Sequence, residues 1–219
     1  MSEGRLFLAQ RRYSSWSMRG WLAVALAGLA VEEVVLPLEG PQAAEIKRVS
    51  PSGLVPYLEH NGNAVWDSLA IAEYCAEITP GLWPASNPAR AWARAIAAEM
   101  HAGFRALRQA MPMNLGARFP ARVYSADVLA DLSRIETIWR ETRARYGTDG
   151  PFLFGATFTL ADAVYAPVVT RILTYEPPIA PQSRAYCEAV RAHPLVEAWY
   201  QAAAAEPQAW RIARYENPG

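Results

Sequence analysis

The 219-residue sequence has few cysteines, no excess of either charge and no long apolar run. Its two cysteines, Cys75 and Cys187, are too few and too far apart for a disulfide framework or a zinc site. No uninterrupted apolar stretch approaches the roughly 18 residues that a membrane span requires. A formal net charge of zero argues against nucleic acid or an acidic membrane as a partner. The N-terminus also lacks the pattern of a secretory signal, so we expect a cytoplasmic protein.

Several chemical motifs are missing as well. The sequence has no glycine-rich phosphate loop, no G-x-S-x-G nucleophile elbow and no H-E-x-x-H metal motif, so no bound metal is expected. It does contain 52% hydrophobic and 19% charged residues, which is typical of a globular protein with a substantial core. A chain of this length forms one large domain or two small ones.

The first part of the chain alternates between strand and helix patterns. Short apolar runs at 6–9 and 31–38 predict strands. Apolar residues at helical spacing between them predict a helix, and a weaker helix covers 43–48. Strands at 55–59 and 64–66 and a further helix complete the order βαβαββα. This order is that of a thioredoxin-like domain, although the pattern alone leaves other small α/β sandwiches open.

A proline-rich stretch divides the chain. Residues 80–87 are interpreted as a linker between a thioredoxin-like domain at 1–79 and a second domain at 88–219. Beyond this linker the strand signals almost disappear. The sequence therefore predicts an α+β domain followed by an all-helical bundle.

The helices of the second domain are predicted from apolar periodicity and from capping residues. One long amphipathic helix is expected over 88–111, because apolar residues recur there at three- and four-residue steps. Ser125 caps the next helix, and Thr159 with Asp162 has the spacing of a capping box at the start of a third. Two shorter helices, near 181–192 and 195–205, complete the prediction.

The stretch Ser52–Cys75 contains the most specific pattern. Pro56 has no N–H for a strand ladder and is expected at a strand start or edge, and the Asn-Gly pair at 61–62 favours a tight hairpin turn. Asp67 or Ser68 is a natural N-cap for the next helix. A helix N-terminus beside a bare strand edge suits a small zwitterionic peptide, with its carboxylate on Ser68 and its ammonium near Asp67. The alternative is an ordinary hairpin followed by an ordinary capped helix.

The loop between the first strand and the first helix carries hydroxyl groups. Ser14 and Ser17 have the spacing of a Cys-x-x-Cys pair with oxygen in place of both sulfurs. Disulfide exchange requires a thiolate, so dithiol oxidoreductase activity at this loop is excluded. A serine hydroxyl can instead donate a hydrogen bond to a thiolate that belongs to the ligand. The alternative is that these hydroxyls only cap the first helix.

Two of these segments resemble a known family. The segments L-V-P-Y-L at 54–58 and W-D-S-L-A-I at 66–71 are similar to the glutathione-binding half of glutathione S-transferases. The resemblance extends in architecture over nearly the whole chain. It implies that the bond before the proline is cis and that Val55 pairs with the cysteinyl backbone of glutathione. It also implies that Asp67 and Ser68 hold the γ-glutamyl end.

The serine loop is similar to that of zeta-class and related bacterial transferases, in which Ser-Ser-Cys-Ser precedes an aromatic residue and an arginine. This resemblance implies that Ser14, or its neighbour Ser15, stabilises the glutathione thiolate. Trp16 stands in place of the cysteine. The arginine that helps zeta-class enzymes to bind a dicarboxylate falls at Thr174, and Arg171 lies one turn earlier on the same face.

The resemblance implies glutathione as co-substrate and a homodimer as the assembly. The expected reaction is addition of the glutathione thiolate to a small electrophile, or glutathione-assisted isomerisation. The candidates for the electrophile pocket are Trp16, Met111, Met113 and Arg171. Two alternatives stay open: an enzyme of the maleylacetoacetate isomerase type, and a non-catalytic protein that binds glutathione or another ligand.

Overall fold

The computed structural model describes residues 3–216. Its first part contains the predicted order βαβαββα, which is thereby confirmed. The elements are β1 (Gly4–Ala9), α1 (Ser15–Ala27), β2 (Val31–Leu36), α2 (Ala43–Val49), β3 (Tyr57–His60), β4 (Asn63–Trp66) and α3 (Ser68–Ile78).

The four strands form one mixed sheet in the order β2-β1-β3-β4. β1 pairs in parallel with β2 and antiparallel with β3, and β3 pairs antiparallel with β4. Leu6 and Leu8 of β1 are fully buried and belong to one apolar cluster with residues of α1 and α3, which pack against each other. This is the predicted thioredoxin-like arrangement, with β1 leading directly into the serine loop.

The hairpin between β3 and β4 turns at Asn61 and Gly62. Both residues have positive φ, 48° and 79°, which is the backbone conformation that the Asn-Gly pair favours in a two-residue turn. The strand before the turn is shorter than predicted, since pairing begins at Tyr57. Val55 therefore precedes the hydrogen-bonded part of the sheet.

The second part of the chain is helical, as predicted. Its helices are α4 (Asn87–Ala102), α5 (Arg105–Ala110), α6 (Ala126–Tyr146), α7 (Leu160–Tyr175), α8 (Pro181–Ala192), α9 (Pro194–Ala204) and α10 (Ala213–Glu216), with a 3₁₀ turn at Gln208–Trp210. The turn and α10 have no counterpart in the sequence prediction.

The prediction of one continuous helix over 88–111 is wrong. The helix breaks between α4 and α5, where Phe104 adopts the left-handed conformation with φ 59°. Arg108 stabilises the break, because its guanidinium donates to the carbonyl oxygens of Met100, His101 and Gly103 at the end of α4. Apolar periodicity continues across the break and gives no sign of it.

α7 lies at the centre of the helical part and contacts α1, α4 and α8. The predicted capping box at its start is present, with the Asp162 carboxylate accepting from the Thr159 N–H at 2.9 Å. Nearly every residue of α7 is buried. This helix joins the helical part to α1 and so carries its own residues to the serine loop.

Candidate active site

A cavity of about 700 Å³ lies beside the N-terminus of α1. Six residues predicted for the site line it: Ser14, Ser15, Trp16, Val55, Met113 and Arg171. Four other predicted residues lie outside its lining: Pro56, Asp67, Ser68 and Met111. The fold thus brings the serine loop together with a residue of α7 that follows it by more than 150 positions.

Ser14 is the N-cap of α1. Its Oγ accepts a hydrogen bond from the Ser17 N–H at 3.2 Å and donates one to the Ser17 Oγ at 2.8 Å. The Ser17 Oγ also accepts from the Ala9 N–H at 2.9 Å, which fastens the loop to the end of β1. The Ser14 hydroxyl therefore caps α1, as the capping interpretation predicts, and the same residue also lines the cavity.

Ser15, the first residue of α1, is bonded differently. Its Oγ accepts from the Arg171 Nη2 at 3.3 Å, and within residues 3–216 no acceptor takes its hydroxyl hydrogen. Backbone N–H groups in the first turn of a helix have no intrahelical partner. An anion at this helix end would meet those N–H groups and the positive end of the helix dipole.

Arg171 is held rigidly behind Ser15. Its Nε donates to the Met111 carbonyl at 2.8 Å, and its Nη1 donates to the Pro167 carbonyl at 2.9 Å. Burial, followed by the neighbouring Arg108, lowers the pKa of Arg171 to about 9, so the guanidinium stays largely protonated at neutral pH. The Met111 side chain is buried in the core, and this residue serves the site through its carbonyl oxygen.

Two guanidinium groups stack near the Trp16 ring. The Cζ atoms of Arg19 and Arg108 lie 4.8 and 4.9 Å from its centroid, and the His101 ring meets its edge at 5.0 Å. Arg19 is buried, and its Nη1 and Nη2 have no hydrogen-bond partner among the described residues. Burial, and then Arg108 and Arg171, lower the pKa of Arg19. The cavity therefore borders a cluster of positive charge.

Sequence reasoning missed Arg108. The available signal was its position one turn before Met111, which the sequence analysis names as a candidate for the electrophile pocket. Charged residues at helical spacing are common on solvated faces, so this signal does not separate a site residue from a surface residue.

The residues before β3 form the opposite wall. Val55 lines the cavity, and the Val55–Pro56 bond is cis, as the family resemblance implies. Pro56 is buried against α1, since a Cβ added to Gly20 would lie 2.7 Å from the Pro56 Cγ. Pro56 is therefore a packing residue behind the wall.

The N-terminus of α3 forms a second polar cluster. Asp67 is its N-cap with φ 73°, and its Oδ1 accepts from the Leu69 N–H at 2.8 Å. The Asp67 Oδ2 lies 3.3 Å from the His101 Nε2, and the same histidine contacts Trp16 of the cavity. Ser68 is 3% exposed, and its Oγ has no hydrogen-bond partner among residues 3–216. An unpaired buried hydroxyl costs about 1–3 kcal/mol, so a ligand atom would be stabilised here.

Residues 206–216, the C-terminal segment, brace the serine loop. The Glu206 carboxylate accepts hydrogen bonds from the backbone N–H groups of Arg11 and Arg12. These bonds fix the backbone immediately before Ser14. The last predicted helix ends at 205, and none of these bonds is predicted from the sequence, because an isolated polar residue does not indicate its partner.

The same segment makes three further bonds to the loop, one of them from the Ile212 N–H to the Tyr13 hydroxyl at 3.2 Å. The Gln10 Nε2 donates to the Trp210 carbonyl at 2.6 Å, and the Tyr13 hydroxyl donates to the Glu216 carboxylate. Burial and this carboxylate raise the pKa of Tyr13 to about 12. Tyr215 completes the contact by lining the cavity.

Within the described part of the chain, no group of three or more His, Cys, Asp or Glu side chains is arranged to hold a metal ion. Across the same residues, 3–216, each helix is too short or too polar to cross a membrane. Cys75 and Cys187 are buried, and burial raises the pKa of each thiol to about 12.

Two family models match the chain. The model described as the N-terminal domain of glutathione S-transferase matches residues 13–78, and that described as the C-terminal domain matches residues 90–202. Together they include the serine loop, the cis proline, both residues of the α3 cluster and Arg171. The match to the second model alone extends over more than half of the chain.

Individual proteins are similar over most of the chain. Protein IN2-1 homolog A from Oryza sativa subsp. japonica is 30% identical over 165 residues, which are 74% of this chain and 63% of the rice protein. A bacterial maleyl pyruvate isomerase, described as a zeta-class glutathione S-transferase, has a TM-score of 0.70 at 25% identity, covering 93% of this chain and 99% of that chain. A glutathione transferase homologue from Burkholderia with bound glutathione has a TM-score of 0.71 at 21% identity, covering 94% and 100%.

Proposed function

The chain belongs to the glutathione S-transferase family, and from this membership we propose that it binds glutathione and activates the thiol. The activated thiol adds to a small electrophile or assists an isomerisation. Ser14 and Ser15 act on the sulfur, Val55 pairs with the cysteinyl backbone, and Asp67 with Ser68 holds the γ-glutamyl group. Glutathione bound to the Burkholderia homologue supports the choice of ligand.

The observation that carries this proposal is the unpartnered hydroxyl of Ser68. It is buried at the start of an eleven-residue helix, where the Leu69 N–H is already taken by Asp67. A carboxylate of the γ-glutamyl group would accept from this hydroxyl and from a first-turn N–H. The exposed face of the Asp67 carboxylate would receive the ammonium. A zwitterionic end group therefore satisfies both residues at once.

The thiol would lie at the N-terminus of α1. A free thiol with a pKa of about 8.5 is only a few per cent ionised at neutral pH, and a helix N-terminus or a nearby cation lowers that value. The Ser14 hydroxyl can turn its hydrogen from the Ser17 Oγ to a thiolate, which is the stronger acceptor because it is charged. Arg171, through Ser15, adds positive potential. The thiol proton leaves to solvent, and the sulfur lone pair forms the new bond to the electrophilic carbon. The π-electron pair displaced from that carbon then takes up a proton from solvent.

Calorimetry on Ser68→Ala tests the γ-glutamyl assignment. Glutathione affinity should fall by roughly 1–3 kcal/mol, because the ligand carboxylate loses its donor. Ser86→Ala is the matched control, since Ser86 caps α4 away from the cavity and accepts only from the Ala89 N–H. Its glutathione affinity should be unchanged. Equal affinity of wild type and Ser68→Ala would remove the assignment.

A pH titration separates catalysis from binding alone. Ultraviolet absorbance of the thiolate, followed for enzyme-bound glutathione, should give a thiol pKa at least about one unit below that of free glutathione. No depression of that pKa would favour the non-catalytic alternative.

Isomerisation is a second candidate activity, favoured by Arg171. Zeta-class enzymes use an arginine at the position of Thr174, but here Thr174 is buried and donates to the Asn114 carbonyl. Arg171, one turn earlier, lines the cavity instead. The similarity to a maleyl pyruvate isomerase supports a test with that substrate. With the wild-type protein, the absorbance of maleyl pyruvate should fall in a glutathione-dependent way. No such loss with Arg171→Gln would then establish the activity.

The family resemblance also supports a homodimer that works in the cytoplasm. Light scattering after gel filtration should return about twice the mass of one chain. A monomer over the whole concentration range would contradict the dimer.

A further inference from the structure

A second cavity, of about 650 Å³, adjoins the first. Arg108, Pro112 and Tyr215 line both cavities, so these three residues form the boundary between them. The remaining walls of the second cavity come mainly from α5, from the segment before α6 and from Arg214 of α10. None of the residues predicted for the site lines it.

The two cavities share one sign of charge. Lys47, Arg108 and Arg171 line the first, and Arg108, Arg122 and Arg214 line the second. Within residues 3–216, no Asp or Glu side chain lines either cavity, although the whole chain has equal numbers of acidic and basic residues. A cleft lined by one sign of charge concentrates ligands of the opposite sign. The charge therefore indicates an anionic ligand that reaches past glutathione.

Arg108 is fixed at the boundary. Its Nε donates to the Gly103 carbonyl at 2.9 Å, and its Nη2 donates to the carbonyls of Met100 and His101. Its Nη1 has no hydrogen-bond partner among the described residues, while the guanidinium stacks near Trp16. A guanidinium that is already immobilised loses little conformational entropy when it binds an anion.

The second cavity also offers groups for the far end of a ligand. Arg214 lies over the Tyr215 ring, which lines the cavity, and Arg122 lies over the Tyr175 ring, which is buried behind the cavity wall. Arg214 also pairs with Glu39 and is 63% exposed, so its cation is reachable from solvent. The Tyr215 ring with the Arg214 cation beside it suits a ligand that has an apolar middle and a negatively charged end.

We propose that the electrophile is an elongated carboxylate, whose reactive carbon lies in the first cavity and whose carboxylate reaches the second cavity beyond Arg108 and Tyr215. This assignment rests on the proposed function, because glutathione must occupy the first cavity. It names a substrate class and a subsite lined by Arg108, Arg122 and Arg214.

Calorimetry with two unreactive glutathione conjugates tests the subsite without catalysis. One is the conjugate of ethacrynic acid, an unsaturated ketone with a carboxylate tail, and the other is the conjugate of its methyl ester. The acid conjugate should bind about tenfold more tightly, the ratio expected for one charge-assisted hydrogen bond. High salt should reduce this ratio, since the attraction is electrostatic and partly exposed.

Surface variants localise the effect without disturbing the end of α4. Arg122→Gln combined with Arg214→Gln should reduce the acid-to-ester ratio to about twofold or less and leave the ester affinity unchanged. Arg118→Gln is the matched control, because Arg118 pairs with Glu176 and lines neither cavity. Its ratio should remain that of the wild type.

The outcomes are distinct. Equal binding of acid and ester conjugates, or an unchanged ratio in the double variant, overturns the carboxylate subsite while glutathione binding stands. Failure of both conjugates to bind removes the proposed function, and the subsite with it. A ratio that falls only in the double variant supports the proposal.

Discussion

The helices α7 and α3 each have a buried polar side chain in the first turn, and these two side chains differ in their hydrogen bonding. At the start of α7, the fully buried Asp162 carboxylate accepts from the Leu153 N–H, from the N–H and Oγ1 of Thr159, and from the Tyr186 hydroxyl, at 2.9–3.1 Å. At the start of α3, the buried Ser68 hydroxyl has no partner in the described residues. A saturated polar group stabilises the fold, whereas an unsaturated one costs stability until a ligand pairs with it.

Asp162→Ala tests the start of α7, where the polar side chain is fully hydrogen-bonded. It removes one side chain and leaves several buried donors without an acceptor, so the free energy of unfolding should fall by roughly 3–5 kcal/mol. Urea unfolding of the variant against wild type measures this loss. Asp127→Ala is the control, because Asp127 is exposed in the first turn of α6 and should contribute at most about 1 kcal/mol through the helix dipole. If both variants lost a similar free energy of unfolding, the hydrogen bonds of Asp162 would not stabilise the fold more than an exposed carboxylate does.

Ser14→Ala tests a residue that lies between these two cases, because its hydroxyl is hydrogen-bonded within the loop and the residue also lines the cavity. Turnover at neutral pH should fall about tenfold, the ratio for raising the thiol pKa by one unit, and part of the loss should recover at high pH. The lost N-cap should also lower the free energy of unfolding by about 1 kcal/mol. Steady-state kinetics against pH and urea unfolding measure the two effects.

Ser15→Ala is the comparison for that experiment. This variant keeps the N-cap at Ser14, and the hydroxyl that it removes only accepts a hydrogen bond from Arg171. We therefore expect a smaller loss of turnover and little change in the free energy of unfolding. A large loss of turnover in Ser15→Ala with wild-type turnover in Ser14→Ala would reassign the thiolate to Ser15.

Ser68→Ala and Ser86→Ala should change the free energy of unfolding in opposite directions, each by about 1 kcal/mol or less. Without ligand, Ser68→Ala should leave the free energy of unfolding unchanged or raise it by up to about 1 kcal/mol, since it removes an unpaired buried hydroxyl. Ser86→Ala should lower it by about 1 kcal/mol, because α4 loses its cap. With saturating glutathione, the advantage of Ser68→Ala should reverse. A loss of ligand-free stability in Ser68→Ala would mean that the hydroxyl is already paired.

The sequence predicted those features that depend on local patterns. The order of the elements follows from periodicity, the hairpin from the Asn-Gly pair, and the start of α7 from Thr159 and Asp162. Each of these is decided by residues within a few positions of one another. The α3 cap at Asp67 belongs to the same group.

Features that depend on distant contacts escaped prediction. The break after α4 is stabilised by Arg108, which satisfies carbonyls at the end of the preceding helix. The partner of Ser15 is Arg171, and the bond of Glu206 to the serine loop spans almost the whole chain. No pattern in the sequence encodes such pairs, because they depend on which surfaces the fold brings together. The subsite at Arg122 and Arg214 is of this kind.

The bracing of the serine loop by residues 206–216 has a consequence for biosynthesis. The loop and the bond partners in that segment are separated by about 200 positions, as in the contact between Gln10 and Trp210. At roughly 5–20 residues per second, a ribosome needs some tens of seconds to add that length of chain. The β-sheet can form long before, since its strands end at Trp66. We therefore expect a nascent chain to form its β-sheet early and to fix the proposed catalytic serines only after residues 206–216 have left the ribosome.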